Sequence, residues 1–347
     1  MTDTKLQDGA TAMRREAGES GAAVSRFLSR NVQTLSALAD HLRANPPSLV
    51  VTCARGSSDH AATYGKYLIE TLVGLPVSSA APSVTSVFAA ELQQTGALLI
   101  AISQSGRSPD LLATVDRYKS AGARVVVLVN DESSPLAERA DFLLPLCAGP
   151  ETSVAATKSF IASIAGLAAL AAWWSDDRAL RIALETLPSL LDMAHEQDWS
   201  PLVAALTDAR NLFIIGRGYG LSVAQEAALK LKETCGLHAE GFSSAEVRHG
   251  PMAIIDEGFP LLAFATSDKS GDDVRAAARD FADRGATVLL ADCAEGARSP
   301  LPVLSTHPVL EPVLLIQSFY AAAERLALAR GLDPDQPPFL RKVTETR

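Results

Sequence analysis

The feature that most constrains this chain is an internal duplication. Gly122-Ala-Arg-Val-Val-Val-Leu128 aligns with Gly285-Ala-Thr-Val-Leu-Leu-Ala291, and the same displacement lays Leu98-Leu-Ile-Ala-Ile-Ser103 on Leu261-Leu-Ala-Phe-Ala-Thr266 and Leu68-Ile-Glu-Thr71 on Leu231-Lys-Glu-Thr234. Upstream, Leu49-Val-Val-Thr-Cys-Ala-Arg-Gly56 resembles Leu212-Phe-Ile-Ile-Gly-Arg-Gly218 with the register slipped by one. Each half therefore reads as apolar strands, Gly/Ser turns and helices in alternation. Continuous rather than alternating apolar runs predict a parallel sheet covered on both faces. The fold expected is α/β, two doubly wound parallel-sheet domains preceded by a helix.

The boundaries predicted are an N-terminal helical segment (1–45), a first domain (46–195), a linker around Trp199-Ser200-Pro201, a second domain (200–330) and a C-terminal tail (331–347). Residues 20–44 predict a helix with Val24, Phe27, Leu28, Val32, Leu35, Leu38 and Leu42 on one stripe, ended by Pro46-Pro47. A helical stretch is expected through 161–194; its apolar core, Ile161 to Trp174, is too short to span a bilayer and reads as buried.

Composition narrows the function. The net charge of −9 argues against a nucleic-acid surface. Met1-Thr-Asp-Thr-Lys-Leu-Gln-Asp8 carries no apolar leader pattern, so a cytoplasmic location with no membrane partner is expected. Four cysteines (Cys53, Cys147, Cys235, Cys293) lack a C-x-x-C pair, and six histidines are scattered, which predicts reduced thiols and no metal site.

Ligands of such sheets bind beyond the strand C-termini. There the run Leu98-Leu-Ile-Ala-Ile-Ser-Gln-Ser-Gly-Arg-Ser-Pro-Asp110 ends in hydroxyls and a helix start, where backbone N–H groups and the helix dipole favour an anion. Ser103, Ser105 and Ser108 add hydroxyls. The loop has neither a Walker lysine nor a three-glycine fingerprint, so a small phosphate ester fits better than a nucleotide; an ordinary capped turn is the plain alternative. In the second half Thr266-Ser-Asp-Lys269 replaces Ser103-Gln-Ser-Gly106, and Asp268 would repel a phosphate. Only the first half is expected to hold one.

Glu226, Lys230 and Glu233 fall at i, i+4 and i+7 on one helix face, the spacing of a common solvated ion-pair row. His249 lies in Arg248-His-Gly-Pro251; an imidazole there can give and take a proton, as sugar ring opening requires. Lys342 closes a proline-rich stretch, Asp333-Pro-Asp-Gln-Pro-Pro-Phe-Leu-Arg-Lys342, that otherwise reads as a frayed terminus.

Ser103-Gln-Ser-Gly106, Val154-Ala-Ala-Thr-Lys158, Ala228-Leu-Lys-Leu-Lys-Glu233, His249-Gly-Pro251 and Asp335-Gln-Pro337 with Lys342 occur in one order. In this combination the chain resembles the sugar isomerase (SIS) family, in particular the isomerase half of glucosamine-6-phosphate synthase and its stand-alone deaminase relatives. The resemblance implies flavodoxin-like SIS domains. It implies a sugar phosphate held by Ser57, Ser58, Ser103, Gln104, Ser105 and Ser108, the last replacing a threonine, with the sugar lined by Val154 and Ala155. It gives Glu233 as the carboxylate moving a proton between C1 and C2, Lys230 and Glu226 as further site positions, and His249 as a ring-opening group donated across a homodimer. Lys342 matches a lysine that forms a Schiff base in the synthase, a covalent step that a deaminase leaving its product free does not need; its role stays open.

The synthase carries a glutaminase domain where this sequence has only a helical segment, and Arg55-Gly-Ser-Ser-Asp59 resembles the stand-alone branch. The implied reaction is deamination of glucosamine 6-phosphate to fructose 6-phosphate and ammonia, without metal or organic cofactor. The alternatives are another amino-sugar phosphate, such as galactosamine 6-phosphate or fructosamine 6-phosphate, and a sugar-phosphate sensor without turnover.

Overall fold

The computed structural model describes residues 10–93 and 96–342; the reading of Met1 to Asp8 lies outside them. Two helices come first, α1 (Ala12–Gly18) and α2 (Ser20–Ala44). The first half follows as β1 (Val50–Cys53), α3 (Ser57–Leu68), β2 (Val77–Ser79), α4 (Pro82–Ser86), β3 (Leu98–Ser103), α5 (Pro109–Ser120), β4 (Arg124–Val129) and β5 (Phe142–Pro145). Helices α6 (Lys158–Trp174), α7 (Arg178–His195) and α8 (Ser200–Leu206) lead to the second half. That half consists of β6 (Asn211–Gly216), α9 (Tyr219–Cys235), β7 (His238–Ser243), β8 (Pro260–Ala265), α10 (Lys269–Ala282) and β9 (Thr287–Asp292), with α11 (Glu311–Ala329) behind it.

Every strand pairing is parallel, in the orders β2-β1-β3-β4-β5 and β7-β6-β8-β9. Strand order reverses between β1 and β3 and again between β6 and β8, which opens a crevice at the strand C-termini of each sheet. Val50 stands beside Leu98 and Leu98 beside Arg124; Phe213 stands beside Leu261 and Pro260 beside Thr287. The central strands bury nearly every side chain, as their unbroken apolar runs require.

The duplication extends to backbone conformation. Gly56 (φ +55°, ψ −132°) and Gly218 (φ +55°, ψ −125°) open α3 and α9 in a region that L side chains rarely enter. The preceding arginines repeat as well. Arg55 Nε donates to Asp110 at 2.9 Å in the first half, and Arg217 Nη1 lies 2.9 Å from Asp273 in the second. Each clamp ties the first crossover turn to the helix after the next strand.

Helix α6 explains the Leu/Ala-rich stretch: every residue from Lys158 to Ala172 is buried, against α2, α3, α7 and α11. Burying a Leu or Ile there contributes roughly 1.5–3 kcal/mol. Among the described residues no helix is long and apolar enough to cross a membrane.

Three expectations are corrected. Helix α2 buries Val24, Phe27, Leu35, Leu38 and Leu42, but Leu28 is half-buried and Val32 is 45% exposed, because the buried stripe is narrower than the apolar one. The stretch 161–194 is two helices, broken at Asp176 in a left-handed conformation, with Asp177 capping α7. Trp199 is no linker: it is fully buried, its indole N–H donates to Pro302 O at 2.8 Å, and Asp198 and Pro201 start α8 there. Helix α1 lies ahead of the helix the sequence predicts, its N-terminus capped by Thr11. The cysteines are unpaired, and burial pushes the thiols of Cys53 and Cys235 up to about 12 and about 11.

Candidate active site

A cleft of about 250 Å³ opens at the C-terminal ends of β1 and β3. Its floor is the first crossover turn and the start of α3 (Gly56, Ser57, Ser58) together with Ser103, Gln104, Ser105 and Ser108 of the β3–α5 loop. Glycine supplies the tight turn at Gly106: its φ is +65°, and an added Cβ would lie 2.2 Å from Ser134 Oγ. Gly106 N–H donates to Ser103 Oγ at 3.0 Å, which fixes the loop, while Ser108 begins α5 without spending its hydroxyl on a cap. Hydroxyls and the amides of two helix starts thus converge on one spot.

The equivalent turn of the second half is occupied by the protein itself. Asp268 accepts from Ser270 N at 3.0 Å and Gly271 N at 3.3 Å, and Glu311 accepts from Ser267 N at 2.7 Å. An internal carboxylate pair takes the place that a phosphate would need.

Helix α9 crosses onto α3 and brings Glu233 to the cleft wall. Behind Glu233 is a buried charge cluster rather than the solvated row of the plain reading. Lys230, 1% exposed, bonds closely to Glu233 and lies 3.4 Å from Glu226, which is fully buried. Glu226 also accepts from Tyr320 OH at 3.1 Å and pairs with His60 Nδ1 at 3.0 Å. Burial opposes the charge on Lys230, but Glu226 and Glu233 outweigh it and raise the ammonium above its ordinary value. Burial, reinforced by Glu226, pushes the Tyr320 hydroxyl well up.

Glu70 occupies the position duplicated by Glu233 and takes another fate. It stands in a π-helical segment after α3, is half exposed, and accepts from Val77 N at 3.1 Å.

The third wall is the tail. Lys342 Nζ donates to Glu151 at 3.1 Å and to Ser153 O at 2.7 Å, so the described part of the tail is tied down at Lys342. Glu151 also accepts from Thr157 N, Ser159 N and Ser159 Oγ. Burial would raise this carboxyl; Lys342 and the Ser159 and Thr157 donors outweigh it and hold it below its ordinary 4.5. Helix α1 supports both partners: Asp335 of the tail accepts from Ala12 N and Met13 N at 2.7 Å, and Glu16 accepts from Thr152 Oγ1 at 2.8 Å and Ser153 N at 3.1 Å.

A depressed folded-state value means that Glu151 contributes stability above pH 4.5 that is lost as the pH falls through its lower folded value. Glu151→Gln is expected to cost about 1–3 kcal/mol at neutral pH, with the difference from wild type vanishing on acidification. Urea midpoints measured at neutral and acidic pH check this; a constant difference would contradict it.

The structure thus brings Ser57, Ser58, Ser103, Gln104, Ser105, Ser108, Val154, Glu233 and Lys342 into one cleft. Glu226 and Lys230 lie behind Glu233, outside the lining. Ala155 is fully buried, and its neighbours Val154 and Ala156 line the cleft instead. His249 is exposed on the turn after a short 3-10 segment and does not line the cleft of its own chain. Sequence reasoning missed Glu151, His60 and Tyr320. Glu151 just precedes the Val154-Ala-Ala-Thr-Lys158 motif, but no spacing rule connects it to a lysine 191 positions later.

Residues 47–172 and 205–300 match the SIS domain family. A glutamine–fructose-6-phosphate aminotransferase (isomerizing) of Zymomonas mobilis is 32% identical over 311 residues, covering 84% of this chain and 51% of that protein. One of Thermococcus kodakarensis is 33% identical over 346 residues, covering 95% and 57%. The chain spans about half the length of these curated relatives. Among solved structures, a Silicibacter pomeroyi protein provisionally described as a phosphosugar isomerase is 46% identical with a TM-score of 0.89, covering 94% of this chain and 100% of that one. The C-terminal domain of glucosamine-fructose-6-phosphate aminotransferase from Francisella tularensis gives a TM-score of 0.83 at 25% identity, covering 96% and 100%.

Proposed function

Because the chain belongs to the SIS domain family, we propose that it deaminates glucosamine 6-phosphate to fructose 6-phosphate and ammonia. The observation that carries this reading is the single cleft in which a hydroxyl-and-amide cradle faces the Glu233 carboxylate and the Lys342 ammonium. Its volume of about 250 Å³ suits a ligand smaller than the drug-sized occupants of roughly 300–1,000 Å³ pockets.

In the mechanism proposed, Ser57, Ser58, Ser103, Gln104, Ser105 and Ser108 hold the 6-phosphate and fix the sugar against Glu233. Ring opening needs a group that gives and takes a proton; His249 does not line its own chain's cleft, and in this proposal the partner subunit's His249 fills that role across a homodimer. Glu233 takes the C2 proton and returns it to C1, while the C1 carbonyl oxygen gains the proton that the C2 amine gives up, leaving a C1 alcohol and a C2 imine. Water adds to that imine and ammonia departs, giving the ketose. Glu233 and Lys342 side chains are 22% and 25% exposed, so water has access for this last step. Lys342, positioned by Glu151 at 3.1 Å, polarises the sugar carbonyl without needing a covalent bond.

The test is ammonia release from glucosamine 6-phosphate, run beside the galactosamine, N-acetylglucosamine and fructosamine 6-phosphates. Release from the first, many-fold above the others, is the expected result. Release confined to another amine would reassign the substrate, and ligand binding without release from any of them would make the protein a sensor.

A further inference from the structure

Within the cluster behind the cleft, three carboxylates (Glu151, Glu226, Glu233) meet two ammoniums (Lys230, Lys342). The group that can complete the balance is His60, one turn into the helix whose start forms the phosphate cradle. Its Nδ1 lies 3.0 Å from Glu226, and its side chain is 23% exposed, so its other nitrogen can exchange protons with solvent.

We propose that His60 is a positioning residue whose charge decides how Glu226 and Glu233 share Lys230, and thereby how strong a base Glu233 is. The proposal rests on the reading of Glu233 as the C1/C2 base. Glu226 is a carboxylate accepting from Tyr320 and Lys230, so His60 Nδ1 carries the proton of their hydrogen bond in either charge state of the ring. Protonation at Nε2 sets a full positive charge against Glu226. Glu226 then draws less on Lys230, and Lys230 is committed to Glu233, which weakens that base. Loss of the Nε2 proton reverses the sequence.

The surroundings leave few competing charges. From α9 the facing group is Glu226, and on its own helix the neighbour is Asp59. Tyr320 of α11 acts through Glu226. Helix α6, packed on α3, has Lys158 as its one charged residue, and that is paired with Glu19. Strands β1, β2 and β3 bring no Asp, Glu, Lys, Arg or His, and Glu70 in the segment after α3 is engaged by Val77 N and Lys66.

The experiment follows loss of the C2 proton of glucosamine 6-phosphate by NMR, whether to C1 or to solvent, between about pH 5 and pH 8, the range in which histidine changes charge. His60→Asn keeps a neutral donor where Nδ1 stood but cannot titrate. Wild type is expected to lose rate more steeply than one proton per unit on the acid side. His60→Asn is expected to fall with a single-proton slope and to outrun wild type by about three- to tenfold at the acid end, the scale of one unit charge acting through a partly buried medium. Tyr320→Phe, which removes a Glu226 donor and so leaves Lys230 drawn more to Glu226, is expected to raise the rate at every pH and keep the wild-type slope. Identical slopes in wild type and His60→Asn would overturn the proposal while leaving Glu233 as the base. No loss of the C2 proton in wild type at any pH would overturn the functional reading and this proposal with it.

Discussion

Glu233→Gln is expected to lower ammonia release by about 100- to 10,000-fold, the usual contribution of a positioned general base, while sugar-phosphate binding survives. Glutamine keeps the volume and a hydrogen bond to Lys230, and Lys230 retains Glu226 at 3.4 Å, so the cluster is not left with a bare ammonium. The cradle proposed for the phosphate is built from a different part of the chain and does not depend on Glu233. The variant should therefore be stabilised against heat by glucosamine 6-phosphate as much as wild type. Turnover above a tenth of wild type would remove Glu233 from the chemistry. The same variant tests the proposed shared site: mixing Glu233→Gln with His249→Asn subunits is expected to restore activity that neither has alone, since a mixed dimer of the proposed kind would contain one site with both groups. Failure of mixed dimers to recover activity would count against donation of His249 across the interface.

Lys230→Met should produce the largest loss of stability, about 3–5 kcal/mol, because removing one partner of a buried ion cluster strands the others. Glu226 is fully buried and would keep only Tyr320 and His60 as donors, while Glu233 would lose its close partner. Methionine matches the apolar stem, so the loss reports charge rather than volume. Urea unfolding gives the size. Adding Glu226→Gln to Lys230→Met should recover part of it, since the stranded charge is then gone. A cost below about 1 kcal/mol would mean that the cluster behaves as a surface pair.

These two positions show how far the local sequence reaches. The i, i+4, i+7 spacing places Glu226, Lys230 and Glu233 on one face of α9, because helical geometry is local. It gives no information on what covers that face. The answer came from α3 and α11, whose His60 and Tyr320 close over Glu226. Glu70 makes the point by contrast: the duplicated position, in the π-helical segment after α3, points to an exposed pair and the β2 backbone. Sequence likeness between the halves could not separate the two.

By itself, the sequence determined the duplicated parallel sheets, the Arg-Gly turns that open α3 and α9, the long α2 and buried α6, and the hydroxyl-rich turn after β3. These depend on apolar runs, glycine's tolerance of positive φ and helix-start chemistry, all of which act over a few residues. Only the tertiary structure decided that an internal carboxylate pair fills the second cradle, that Glu151 reaches across the chain to hold Lys342, and that α1 ties the tail to the 152–153 loop. It also decided that His249 stands apart from its own chain's cleft. Those outcomes depend on which distant segments are buried together, where losing water forces each polar group to find a partner, and no local pattern encodes that partner.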